Sequence, residues 1–245
     1  MKRTSAAVVL LFPLLGLVAA CGGSSGKDAS ASPAATHSSA ASGAACHYVE
    51  DGLKPARKVK LPPGNPVTRK PTTATLQTNR GTIRMTLSAD ETPCTVNSFL
   101  SLARQGYFDH TTCHRLTTSG IYVLQCGDPT GTGTGTPGYR FANEMIVNDS
   151  RLQPCRKVNT VQGRQQVCTY PAGTVAMANT GKPDSNGSQF FLVYRNSELP
   201  PTYTVFGRMN ATGLHVVESV AKKGVRGDSG DGTPRQRVEI RKVSP

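Results

Sequence analysis

The run Thr73-Ala74-Thr75-Leu76-Gln77-Thr78-Asn79-Arg80-Gly81-Thr82-Ile83-Arg84-Met85-Thr86-Leu87 sets the structural class of the chain. Ala74 and Leu76 alternate with polar residues, as do Ile83, Met85 and Leu87, and Asn79-Arg80-Gly81 supplies a turn between the two halves. Side chains along a strand alternate between its faces, so this spacing gathers the apolar groups on one face and predicts a β-hairpin set against a core.

Reading outward, Thr92 and Pro93 open a helix in which Val96, Phe99, Leu100 and Ala103 recur on one face, with Gly106 as the stop. Short strand-like runs follow at Ile121 to Gln125, Thr174 to Ala178, Gln189 to Tyr194, Thr204 to Met209 and Val238 to Val243, and a second helix fits Leu214 to Lys223 before Gly224. Many short strands, abundant glycine and two isolated helices predict a mainly β fold: a closed antiparallel barrel with a helix over each open end. Gly133-Thr134-Gly135-Thr136-Pro137-Gly138 has the form G-x-G-x-x-G. Pro137 and the Tyr139-Arg140-Phe141 that follows do not open a helix, so the amide cradle for a pyrophosphate is missing and the segment reads as a tight surface loop.

The N-terminus carries an address. Lys2 and Arg3 precede an apolar stretch from Ala6 to Ala20, which is the layout of an export signal and too short to span a membrane as a helix. Leu17-Val18-Ala19-Ala20-Cys21 resembles a bacterial lipobox, in which the cysteine is acylated and becomes the first mature residue; the competing reading is a plain secreted protein cleaved nearby. Residues 1–20 are thus expected to be a lipoprotein signal peptide. Residues 21–45, the lipidated Cys21 and a segment dominated by Gly, Ala and Ser, are too poor in large apolar groups to order and form a tether reaching on the order of 25 to 30 Å. Residues 46–72 are expected to form a basic, Pro-containing arm, of which Lys54 to Lys70 lies irregularly against a domain over 73–245. The address is the outer face of a bacterial cell membrane, with the membrane reached through the lipid anchor only.

Composition narrows the function classes. The 245 residues carry 37% hydrophobic residues and enough glycine for a packed core, which excludes wholesale disorder. The net charge of +13 is scattered over Lys54 to Lys70, Arg151 to Arg164 and Lys222 to Lys242, with no interleaved aromatics and no helix-turn-helix or finger spacing. A nucleic-acid partner is therefore not expected, and the charge reads as a soluble basic surface. Of seven cysteines, Cys21 is assigned to the anchor, leaving an even set for an oxidising compartment: Cys46, Cys94, Cys113, Cys126, Cys155 and Cys168. No pair has Cys-x-x-Cys spacing, and Cys46-His47 and Cys113-His114 are adjacent rather than spaced as ligands, so these are structural staples and no metal site is expected.

Several separated blocks carry a family resemblance. Phe99-Leu100 with Gly106-Tyr107-Phe108-Asp109, Cys113-His114-Arg115-Leu116, Leu124-Gln125-Cys126-Gly127-Asp128-Pro129-Thr130-Gly131-Thr132-Gly133, Met177-Ala178-Asn179, Asn186-Gly187-Ser188-Gln189-Phe190-Phe191 and Val205-Phe206-Gly207 follow one another as in the cyclophilins. The resemblance covers about Thr73 to Val243. It implies an eight-stranded barrel capped by two helices and peptidyl-prolyl cis/trans isomerase activity, with no cofactor. By position it implies Arg115 as the catalytic group and Gln125, Ala178, Asn179, Gln189, Phe191 and Leu199 as substrate-binding groups. Tyr122 falls where the family usually has Phe, Val123 where Met is usual and Tyr203 where the best-known members have His; the stretch between Arg115 and Gln125 is two residues longer than the commonest pattern. Glu198 falls where animal members carry the Trp that helps bind cyclosporin, so weak cyclosporin binding is implied. In such a groove Phe190 packs inward while Phe191 faces the peptide.

The resemblance also orders the cysteines. It sets Cys113 opposite Cys126 on neighbouring strands, and it makes Cys155 and Cys168 the bracket of a basic insertion, a loop whose closure is worth roughly 3 kcal/mol in the chain-entropy picture. It leaves Cys46 with Cys94, pinning the arm to the first helix. The implied partners are proline-containing polypeptides and the protein is read as a monomer. Two other readings stand beside the enzyme: a non-catalytic groove that holds proline-containing segments, and a surface interaction protein using its basic face.

Overall fold

The computed structural model describes residues 45–144, 149–161, 163–227 and 229–245. All of these belong to the compact unit Ser38–Pro245. The signal peptide, Cys21 and the tether up to residue 44 lie outside the described residues.

In chain order the elements are β1 (Tyr48–Glu50), β2 (Thr72–Thr78), β3 (Gly81–Leu87), α1 (Pro93–Arg104), β4 (Thr111–Thr112), β5 (Arg115–Thr117), β6 (Val123–Cys126) and β7 (Tyr139–Phe141). There follow β8 (Cys155–Thr160), β9 (Gly163–Tyr170), β10 (Thr174–Met177), β11 (Phe190–Val193), β12 (Ser197–Leu199), β13 (Val205–Met209), α2 (Ala211–Ala221), β14 (Asp231–Gly232) and β15 (Glu239–Ser244). The fold is mainly β with two helices. The main sheet runs β14-β5-β6-β11-β10-β13-β3-β2-β15-β4.

The sequence predicts a closed eight-stranded barrel; the hydrogen-bonded order itself does not close. Eight strands, β5 through β15 in the sheet order, form the body, and the two-residue strands β14 and β4 extend it to a ten-stranded sheet whose hydrogen-bonded order is open. The opening hairpin is as its alternation predicts: Leu76 pairs with Ile83 and Ala74 with Met85, and all of these side chains are buried. Helix α1 adds Phe99 to a ring cluster with Phe108, Phe190 and Phe206, at centroid distances of 5.2, 5.6 and 5.4 Å. Its cap comes from a distance: Thr92 makes no side-chain cap, and Glu144 accepts hydrogen bonds from the amides of Cys94 and Thr95 at 2.9 and 2.7 Å. Burial pushes the Glu144 carboxyl above its ordinary range against those donors.

The N-terminal arm carries one short strand, β1, and over Lys54 to Lys70 no helix or strand. Cys46 is bonded to Cys94, and β1 pairs with β7, placing Tyr48 opposite Phe141. Arg57 donates to the carbonyls of Gly106, Tyr107 and Asp109 at 3.0, 3.2 and 2.6 Å, holding the arm beside the end of α1. The other two disulfides join Cys113 to Cys126 and Cys155 to Cys168. The second of them closes the inserted β8–β9 hairpin, which pairs through β9 with β12 in a separate three-stranded sheet.

Candidate proline site

The main sheet separates two apolar clusters. Leu116, Leu124, Cys126, Phe190, Leu192 and Met177 point into the large inner core, whereas Val123, Phe191, Val193, Ala176, Leu199 and Val205 form a smaller cluster on the opposite face. Register explains the division. Arg115 stands opposite Gln125, Gln125 opposite Phe191, and Phe191 opposite Ala176, so four neighbouring strands place one row of side chains on the outer face. The consecutive phenylalanines Phe190 and Phe191 therefore serve opposite faces.

On that outer face lies a pocket of about 170 Å³. Its walls are Ile121, Val123, Phe191, Leu199 and Tyr203, and its rim holds Arg115, Gln125, Ala178 and Asn179. The Tyr203 ring meets Phe191 edge-on at 5.5 Å, and Tyr170 beneath them donates its hydroxyl to the carbonyls of Pro200 and Tyr203, each at 3.2 Å. Burial raises the Tyr170 hydroxyl above its ordinary pKa, so it stays a protonated donor.

The polar rim is a chain of hydrogen bonds. Arg115 Nη1 donates to Gln125 Oε1 at 3.2 Å, Gln125 Nε2 to Gln189 Oε1 at 2.9 Å, and Gln189 Nε2 to the carbonyls of Gly133 and Gly135 at 2.9 and 3.1 Å. Arg115 also grips Asp231 with two donors, Nε to Oδ1 at 2.8 Å and Nη2 to Oδ2 at 2.7 Å. That hydrogen bonding raises the Arg115 pKa further and holds the Asp231 carboxyl below its ordinary range. Asn179 donates to Thr202 O at 2.9 Å, and the Ala178 amide donates to Gln189 O at 2.9 Å.

The G-x-G-x-x-G segment is a loop folded around Asp128. The fully buried Asp128 carboxylate accepts from the amides of Thr130, Gly133 and Gly135 at 2.7, 2.7 and 3.0 Å, and a side chain on Gly135 would put its Cβ 1.8 Å from Oδ1. Burial opposes that charge, but the hydroxyl of Thr130 and the three amides outweigh it and hold the carboxyl below its ordinary range. Gly127, at φ +93°, turns the chain where a Cβ would lie 2.3 Å from Ser188 O. The loop walls a larger groove of about 530 Å³ that shares Gln125, Ala178 and Asn179 with the smaller pocket and is completed by Asp51 and Leu53 of the arm.

Of the residues singled out from the sequence, Arg115, Val123, Gln125, Ala178, Asn179, Phe191, Leu199 and Tyr203 come together at the pocket, and Gln189 joins the rim through Gln125 and the larger groove. Tyr122 does not. Its ring packs against Tyr194 at 5.9 Å, under the Arg195 guanidinium at 3.8 Å, on the inner-core side. The reason is the strand period: Ile121, Val123 and Gln125 share one face, so Ile121 fills the wall expected of Tyr122. That alternation was open to inspection in the sequence, whereas nothing there pointed to Asp231. Glu198 faces away, paired twice with Arg156 at 3.0 and 2.5 Å.

The chain is similar to known proteins over most of its folded residues. Residues 73–244 match the family described as cyclophilin type peptidyl-prolyl cis-trans isomerase/CLD. A probable peptidyl-prolyl cis-trans isomerase B of Mycobacterium tuberculosis is 48% identical over 209 residues, covering 82% of this chain and 64% of the relative; its Mycobacterium leprae counterpart is 48% identical over 206 residues, covering 81% and 65%. The chain thus spans less than two thirds of these mycobacterial relatives. A Cryptosporidium parvum cyclophilin type isomerase has 26% identity and a TM-score of 0.54 over 71% of this chain and 96% of its own. A second structure of that protein, in the presence of the dipeptide Ala-Pro, gives a TM-score of 0.52 at 26% identity over 70% of this chain and 97% of its own. With the family match extending over most of the folded residues, the chain belongs to the cyclophilin type peptidyl-prolyl cis-trans isomerase family.

Proposed function

We propose that the chain catalyses cis–trans isomerisation of X-Pro bonds in exported polypeptides. The observation that carries this reading is a guanidinium at the mouth of an apolar pocket sized for a small ring, with Arg115 at the rim and Phe191, Val123 and Leu199 in the walls. The barrier to rotation, roughly 18 to 20 kcal/mol, comes from amide resonance. Twisting the bond makes the prolyl nitrogen pyramidal and localises its lone pair. A permanently charged guanidinium with directed donors can hydrogen-bond the prolyl carbonyl and favour that twisted state over the planar one, and each 1.36 kcal/mol of the difference is about tenfold in rate. The pocket holds the pyrrolidine ring, Gln125, Asn179, Gln189 and the Ala178 backbone hold the flanking peptide, and the larger groove gives that peptide a path. Arg115 itself transfers no proton.

We read the curled sheet as a barrel whose seam is crossed by the two residues linking β4 to β5, Cys113 and His114, beside the site. We further propose that residues 1–20 are a lipoprotein signal, that Cys21 is lipidated, and that the tether displays a monomeric isomerase on the outer membrane face. The exposed Glu198, turned to Arg156, supplies no indole beside Leu199, which supports weak cyclosporin binding. A groove that binds without turning over is the second reading. Exchange NMR on a proline-containing tetrapeptide separates the two: the enzyme speeds cis–trans exchange at substoichiometric amounts, whereas a pure binding module shifts peptide resonances and leaves the exchange rate at its spontaneous value.

A further inference from the structure

Among the described residues, the carboxylate of Asp231 is the one acidic group bonded to the proposed catalytic arginine, and its placement is built by the fold. Strand β14 pairs with β5 so that Asp231 stands opposite Thr117 and Gly232 opposite Leu116. Arg115 and Thr117 are two apart on one strand and share a face, which makes Asp231 the diagonal neighbour of Arg115. The segment carrying it is fastened on both sides. Thr118 donates its amide to Gly230 O at 2.7 Å, Ser229 Oγ donates to Asp231 O at 2.6 Å, and the Arg226 amide donates to Thr233 O at 2.8 Å.

The ion pair is open to solvent, with side-chain exposures of 40% for Arg115 and 48% for Asp231. Pairs of that exposure contribute little to folding, so stability does not account for a two-point clamp at this position. Its effect on the guanidinium is geometric. Of the five N–H hydrogens of an arginine, Asp231 takes the one on Nε and one on Nη2, and Gln125 takes one on Nη1. One hydrogen on each Nη is left without a partner among the described residues. Two contacts from Asp231 and a third from Gln125 fix the plane of an otherwise flexible side chain.

We propose that Asp231 is a positioning residue for the isomerisation: it locks the Arg115 fork so that its two unclaimed N–H groups meet the prolyl amide in the twisted state. The inference rests on Arg115 acting as described above, and it adds a residue that does not itself line the pocket. A pre-set donor gains most where charge develops, so losing the clamp reduces turnover more than peptide binding.

The test measures kcat and KM for isomerisation of a proline-containing tetrapeptide by the full chain and by Asp231→Asn, Asp231→Ala, Asp231→Glu and Arg115→Ala, with the thermal unfolding midpoint of each. Asp231→Asn is close in shape but offers one acceptor where the clamp needs two. It and Asp231→Ala are expected to lose on the order of tenfold in kcat, with KM near the parental value and the unfolding midpoint unchanged. Asp231→Glu, which restores two acceptors, recovers part of the loss. Parental kcat in Asp231→Asn together with an impaired Arg115→Ala overturns the positioning role and leaves the reading of Arg115 intact. Full activity in Arg115→Ala overturns both. A fall in kcat that tracks a fall in the unfolding midpoint makes Asp231 structural and also overturns the proposal.

Discussion

Ile121 shows at the residue scale how one position of alternation decides a pocket wall. It lines the proposed proline pocket while Tyr122 packs on the other side with Tyr194 and Arg195. Shortening an apolar wall in a binding pocket costs about 1 to 3 kcal/mol. Ile121→Ala is therefore expected to lower kcat/KM roughly tenfold, mainly through KM, and Tyr122→Ala to leave both constants near the parent while lowering the unfolding midpoint; steady-state kinetics on the pair decides it. Asp128 is the second residue whose role is geometric, since its carboxylate organises the loop that receives Gln189. Its folded pKa is depressed, so its contribution to stability is complete above the unfolded value of about 3.9 and is lost as pH falls through the lower folded value. Asp128→Asn should cost about 1 to 3 kcal/mol at pH 7, with the gap to the parent narrowing below about pH 4 in denaturant titrations. Equal stability at pH 7 would show that the Asp128 carboxylate does not hold this loop. Most of the candidate site was legible at this scale because its residue types sit in fixed blocks; the alternation of Ile121, Val123 and Gln125 was visible too, but matching by position across a stretch two residues longer than the family pattern put Tyr122 in the wall, and Asp231 lies in a short loop strand with no pattern of its own.

The elements most readable from sequence are those with one wet and one dry face. The β2–β3 hairpin and α1 follow their periodicities to within a residue or so, because burial on one side fixes register. Strands β8 and β9 were not legible: Arg156, Lys157, Asn159, Arg164, Gln165 and Gln166 are exposed and polar on both faces, so no alternation marks them. Helix α2 starts earlier than its apolar residues imply because Asn210 caps it, accepting from the Gly213 amide at 2.8 Å. The arm is irregular over Lys54 to Lys70 as expected; ahead of that stretch it gains β1 by pairing with β7, and the Cys46–Cys94 bond fixes it to α1. Closing a loop of sequence separation 48 is worth about 4 kcal/mol in the chain-entropy picture, with measured values for native bonds in small domains of about 2 to 5. Replacing both cysteines by serine should lower the unfolding free energy by that order while prolyl turnover stays near the parental rate, as calorimetry and kinetics on the same sample would show; an unchanged unfolding free energy would contradict the pinned arm.

At the scale of the whole molecule, the fold holds a charged fork and an apolar pocket on the outer face of a sheet whose other face is a packed aromatic core. The strand number and the closure of that sheet were the least legible features of the architecture, because the two-residue edge strands β4 and β14 are set by tertiary pairing alone. The proposed address is likewise a property of the intact chain. Cys21→Ser in a full-length chain expressed in a bacterial host should move the protein from the membrane fraction to the soluble exported fraction with its specific activity unchanged. Retention on the membrane would contradict the lipid anchor. On the proposed reading, Arg115 lowers the barrier to X-Pro rotation in the pocket behind it. Removing a preorganised donor to a developing charge typically costs 10²- to 10³-fold in rate. The most direct measurement is therefore cis–trans exchange of a proline-containing tetrapeptide, compared for the parent chain and for Arg115→Ala at matched folded concentration. Rapid exchange is expected with the parent and a loss of about a hundredfold in kcat/KM for the variant; equal rates for the two proteins would rule out the role given to Arg115.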